Sequence, residues 1–178
     1  MTGYTCADLF YQSVVLDGAL DALQRLTAYT AEKPIALVVG LPVVASGRLF
    51  NCAAFLAEGE IKGIVPKRFL PNYGEFYEER WFSSDAERTV DEVEIRGFRV
   101  PFGADLLFRA TSMPDCVIGV EICEDLWSVI PPSCDMALSG ATLLLNLSAS
   151  NELLGKAEYR KSLVASQSAR CLAAYAYA

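Results

Sequence analysis

The chain has 178 residues, 53% of them hydrophobic, which is enough to bury a core of its own. A net charge of −7 and a pI near 4.6 disfavour phosphate backbones and anionic lipid surfaces, so neither nucleic acid nor a membrane is an expected partner. Histidine is absent, which removes the usual base of Ser/His and Cys/His catalysis and the commonest zinc ligand; a nucleophile here needs a carboxylate or a lysine as its helper.

No apolar segment approaches the roughly 20 residues of a membrane-spanning helix. Met1 leads straight into Thr2-Gly3-Tyr4, without the basic and apolar stretches of a secretory signal, and a cytoplasmic protein is expected. Six cysteines (6, 52, 116, 123, 134 and 171) are scattered without a C-x-x-C pair in a chain large enough to fold without disulfides. All but Cys123 are expected to be reduced packing residues. With no repeat, low-complexity tract or linker in view, one globular unit is expected.

Leu20, Leu23 and Leu26 recur at helical spacing and predict an amphipathic helix over residues 17–31, closed by Lys33-Pro34. Residues 35–44 and 51–57 read as strands, and Glu58-Gly59-Glu60 turns the second into a third at 61–65. Residues 66–89 are aromatic, charged and aperiodic, the composition of a functional loop. Short strands are predicted at 93–95, 98–101 and 105–108. A buried strand at 116–122 ends at Cys123-Glu124-Asp125. Pro131-Pro132-Ser133 starts a helix to about Ser139; a strand at 141–147, a helix at 156–172 and a strand from 173 to 177 follow. Strand and helix alternate, and hairpins make the sheets mixed, which gives an α/β class with α+β layering.

Cys123 stands where the apolar strand gives way to Glu124-Asp125-Leu126-Trp127. A helical turn there would expose the side chain at a sheet edge and aim backbone N–H groups at it, lowering the thiol pKa and holding an oxyanion. A cysteine after a strand is, on that feature alone, more often a small buried hydrophobe. The second informative segment runs Val65-Pro66-Lys67-Arg68-Phe69-Leu70-Pro71-Asn72-Tyr73-Gly74-Glu75-Phe76-Tyr77-Glu78.

Together the two segments resemble the carbon-nitrogen hydrolase (nitrilase) superfamily, whose catalytic set is a glutamate, a lysine and a cysteine. By that resemblance the lysine falls at Lys67, the cysteine at Cys123, and a further carboxylate that orients the lysine at Glu75. Five stretches are similar to the glutaminase domains of glutamine-dependent NAD synthetases: residues 3–10, the lysine segment, 119–127, 146–151 and 166–175. The resemblance implies a nitrilase-like α-β-β-α sandwich. It places Tyr73, Glu124, Trp127, Ser150 and Lys156 around a glutamine, Lys156 standing where relatives can carry arginine.

The implied reaction is cleavage of the glutamine side-chain amide through a cysteine thioester, feeding ammonia to a synthetase domain. No Ser-Gly-Gly phosphate-cradling segment occurs among these residues, so no cofactor is expected here, and ATP and Mg belong to the synthetase domain. The resemblance also implies a homo-oligomer. The glutamate that precedes the Thr-Gly-Tyr stretch in the family is not among the 178 residues, and the sandwich is expected to be incomplete and inactive as a fragment truncated at both ends. Two other readings stay open: a stand-alone amidase acting on another small amide, and a catalytically dead assembly module.

Taken singly, the candidates have plainer readings. Lys67 suits a solvated surface, Glu75, Glu78 and Glu79 a solvated acidic face, and Glu124 and Asp125 the start of a helix. Tyr73 and Trp127 suit a core, Ser150 a strand end, and Lys156 a helix start. Among the three acidic loop residues only Glu75 is singled out, by its spacing from Lys67.

Overall fold

In the computed structural model, which describes Met1–Ala178, the leucine stripe lies on helix α1 (Ser13–Glu32), four residues longer at its start than the stripe predicts. Leu23 is fully buried on it, and Leu20 and Leu26 pack partly buried beside the core. Burying one such leucine stabilises by about 1.5–3 kcal/mol. The helix ends at Lys33, whose backbone is extended because Pro34 follows.

Contacts divide the chain into two units, Met1–Ala104 and Asp105–Ala178, where composition suggests one. The boundary falls in Phe102-Gly103-Ala104-Asp105, with none of the polar, proline-rich character that marks a linker. No helix is long and apolar enough to cross a membrane.

The first unit holds an antiparallel sheet in the order β1 (Leu37–Ala45), β2 (Arg48–Ala57), β3 (Glu60–Pro66), and a hairpin of β4 (Glu92–Ile95) and β5 (Phe98–Pro101). All three hairpin connections are two residues long, Ser46-Gly47, Glu58-Gly59 and Arg96-Gly97, and each has positive φ at both positions. That is the type I′ geometry, whose twist matches the strands it joins. Pro42 is tolerated within β1 because β1 is an edge strand. Helix α1 and the β4–β5 hairpin share one core with this sheet, built on Leu41, Val43, Ala54, Leu56, Ile64 and Val100, with Phe50 edge-on to Phe102 at 5.3 Å.

The second unit is a four-stranded sheet in the order β6 (Leu107–Arg109), β7 (Val117–Ile122), β8 (Leu143–Leu147), β9 (Ala174–Tyr177). The first pair is antiparallel; β7, β8 and β9 are parallel, joined through α2 (Pro132–Leu138) and α3 (Lys156–Cys171). Gly119 on β7 lets α2 approach closely: a Cβ there would lie 2.7 Å from Met136 Sδ. The carboxyl ends of parallel strands in such open α/β sheets are where ligands bind. Cys123, directly after β7, and Ser148 to Ser150, directly after β8, both follow such ends.

All six cysteines are free, as composition predicts, but only Cys52 is buried. Burial pushes the Cys52 thiol well above its ordinary range, which suits a packing role.

Candidate active site

Lys67 follows the last residue of β3. Its N–H donates to the Asn51 carbonyl at 2.8 Å, and its carbonyl accepts from the Asp85 N–H at 2.9 Å, so the backbone is fixed on both sides. The loop then folds back: Glu78 N–H donates to the Pro71 carbonyl at 3.1 Å, and a 3₁₀ turn over Glu78–Arg80 carries the Glu78 side chain inward. Lys67 Nζ donates to Glu78 Oε2 at 2.5 Å, and Asn51 Nδ2 donates to Glu78 Oε1 at 2.7 Å. Both charged side chains are 1% exposed.

This corrects two readings. Glu78 is a buried ion-pair partner instead of part of a solvated face, and the carboxylate that holds the lysine is Glu78, not Glu75. Glu75 is exposed, three residues earlier on the open part of the loop. Sequence spacing could not separate the two, because which acid turns inward depends on where the 3₁₀ turn begins. The plain reading of Lys67 as a surface charge is likewise overturned by its burial.

The N-terminal motif residues pack on this loop. Asp8 accepts from Arg80 Nε and Nη2 at 2.8 and 3.0 Å and from Trp81 Nε1 at 2.9 Å; these hydrogen bonds hold its carboxyl down to about 2. Phe10 lies against Phe82 at 4.9 Å and Trp81 at 6.0 Å. Tyr73 is 59% exposed and meets the Phe76 ring edge-on at 5.9 Å, a loop aromatic instead of a core one.

In the second unit Cys123 opens a 3₁₀ turn, Cys123–Trp127, the helical turn the sequence suggests. Asp125 is buried and accepts from the Ile122 N–H at 2.9 Å, holding the turn closed; its role is structural, as expected. Cys123 is half-buried and has φ 48°, a left-handed backbone that costs a non-glycine residue roughly 1–2 kcal/mol and persists only where the surroundings impose it. Its own N–H donates to Asn146 Oδ1 at 3.1 Å.

Four of the five residues assigned to glutamine binding lie in this unit. Trp127 stacks on Tyr159 at 5.6 Å, and Lys156 Nζ sits 5.2 Å from the centre of the Trp127 ring while hydrogen-bonding Asn151 Oδ1. Trp127 and Lys156 are thus brought together, with Tyr159 as a partner that carried no sequence signal. Ser150 is half-buried, its hydroxyl 3.5 Å from the Asn151 carbonyl, and Glu124 is half-buried on the Cys123 turn. No group of three or more His, Cys, Asp or Glu side chains is arranged to hold a metal ion.

Beneath Cys123 lies a buried polar network that the motifs only partly signalled. Glu121 accepts from the Ser133 N–H at 2.8 Å and from the Tyr175 hydroxyl, and contacts the Asn146 amide. Gln167 Nε2 donates to Ser133 Oγ at 2.9 Å. Desolvation pushes the Glu121 carboxyl up, against the lowering effect of these donors, and it raises Tyr175 as well. A charged residue inside an apolar strand, Val117 to Ile122, is the sequence signal that could have exposed the network.

The carbon-nitrogen hydrolase family model matches residues 1–178. The chain is 46% identical over 179 residues to the glutamine-dependent NAD(+) synthetase of Mycobacterium tuberculosis and 41% identical over 180 residues to that of Mycobacterium leprae. Both alignments cover 100% of the chain and 26% of the relative, so the chain spans about a quarter of the curated relatives it matches. A crystal structure of a glutamine-dependent NAD(+) synthetase from Cytophaga hutchinsonii matches with a TM-score of 0.85 and 35% identity, over 99% of this chain and 28% of that one. With that fold and a family match across its whole length, the chain belongs to the carbon-nitrogen hydrolase family.

Proposed function

We propose that the chain is the glutaminase part of a glutamine-dependent NAD synthetase, hydrolysing the glutamine side-chain amide and passing ammonia to a synthetase domain. The observation that carries this is Cys123: a half-buried thiol in a left-handed backbone at the carboxyl end of a parallel strand, within a chain similar along its whole length to such synthetases.

The Cys123 thiolate attacks the amide carbonyl, and the Lys67 ammonium, held by Glu78, stabilises thiolate and oxyanion. A carboxylate base moves the thiol proton to the departing nitrogen; the C–N bond breaks, ammonia leaves, and water cleaves the thioester to glutamate and free thiol. In the family that base stands ahead of the Thr-Gly-Tyr stretch. By the resemblance, Tyr73, Glu124, Trp127, Ser150 and Lys156 contact the glutamine. ATP and Mg act on the synthetase domain, and the protein self-associates.

The test is ammonia release by the full-length gene product from glutamine and from a panel of aliphatic amides. Glutamine as preferred substrate, with activity abolished by Cys123→Ala, is the expected result. Preference for another amide, or release that survives Cys123→Ala, overturns the proposal.

A further inference from the structure

Resting on Cys123 as the nucleophile, we propose that Asn146 is its positioning residue: the Asn146 amide, oriented by Glu121, brackets the Cys123 peptide groups and holds that residue in its left-handed backbone. Asn146 is 1% exposed on β8, in parallel register with Glu121 on β7. Its Oδ1 accepts from the Cys123 N–H at 3.1 Å, and its Nδ2 lies 3.5 Å from the Cys123 carbonyl oxygen, so one side chain addresses both polar groups of the strained residue.

Which end of the amide faces Cys123 is decided one layer deeper. Glu121 is 1% exposed and gathers the Tyr175 hydroxyl, the Ser133 N–H and the Asn146 amide. A carboxylate offers only acceptors, so it draws the Asn146 NH2 toward itself and leaves Oδ1 for the Cys123 N–H. The two hydrogens of Nδ2 then have two destinations, Glu121 and the Cys123 carbonyl. Without the bracket, Cys123 relaxes toward negative φ and its sulfur points elsewhere, which slows attack without emptying the glutamine site.

The experiment uses the full-length gene product and reads two quantities: the rate at which iodoacetamide alkylates residue 123, resolved by peptide mass, and the kcat and KM for glutamine. Asn146→Ala is expected to slow alkylation and lower kcat by about tenfold or more, with KM changed by less than about threefold. Asn146→Asp keeps the acceptor but sets it against the Glu121 carboxyl, and is expected to be slow as well. Adding Glu121→Gln to Asn146→Asp exchanges acid and amide across the pair and is expected to recover most of the rate. Leu144→Ala, which opens a cavity in β8 away from the bracket, is expected to lower Tm and leave alkylation within about twofold.

Alkylation of Asn146→Ala at the parent rate overturns the proposal. So does a double variant no faster than Asn146→Asp, or a Leu144→Ala protein as slow as Asn146→Ala. If Asn146→Ala does not fold, the Asp single and double variants decide by themselves. The predicted alkylation pattern in an enzyme that releases no ammonia from glutamine retains the bracket and removes the glutamine reading instead.

Discussion

The Lys67 ammonium and the Glu78 carboxylate meet at 2.5 Å with both side chains 1% exposed, and Asn51 occupies the second carboxylate oxygen. A charge pair this deep offsets its desolvation only while both members and their hydrogen bonds are present. The lysine is therefore fixed in place by an acid whose own position depends on the returning loop.

Removing one member leaves the other buried and uncompensated. Glu78→Ala is expected to destabilise the protein by about 3–5 kcal/mol in urea unfolding, whereas Lys67→Met combined with Glu78→Met costs clearly less than the sum of the single changes. Glu78→Ala within about 0.5 kcal/mol of the parent would show that the pair is solvent-exposed and not buried.

Gly119 is where α2 meets β7. An alanine Cβ would lie 2.7 Å from Met136 Sδ and 3.2 Å from Leu144 Cδ2. Gly119→Ala is expected to cost about 1–3 kcal/mol through overpacking. Met136→Ala removes the obstructing sulfur, so the double variant should be less destabilised than the two single effects added together. Strict additivity in thermal or urea unfolding would contradict this packing.

Glu121 gives the second unit a pH dependence of definite sign. Burial raises its folded carboxyl above the ordinary 4.5, so the folded state holds the proton more tightly than the unfolded chain does. Its contribution is fully present below the unfolded value and is lost as pH rises through the raised folded one. The stability difference between the parent and Glu121→Gln is therefore expected to shrink as pH climbs from the unfolded value upward. Urea midpoints measured across that range check this; a difference that grows with pH contradicts it.

Much of the fold was legible because its elements are local. The Leu20-Leu23-Leu26 stripe, the β-branched runs and the Glu58-Gly59 turn each encode periodicity or backbone preference within a few residues. The 3₁₀ segment at Tyr4–Tyr11 was not legible, since it carries no 3.6-residue stripe and departs from helical geometry at Thr5 and Ala7. Nor was the division at Ala104, which turns on contacts between residues distant in the chain.

The sequence by itself determined the family, the strand leading to Cys123 and the loop bearing Lys67, because these follow from residue type and spacing. Only the tertiary structure decided that Glu78 rather than Glu75 takes the lysine, and that Asn146 and Glu121 stand beneath the cysteine. The physical reason is that a buried polar group must find its partner wherever the folded chain presents one, and strand register and loop return choose that partner across 11 residues for Lys67 and 23 for Cys123.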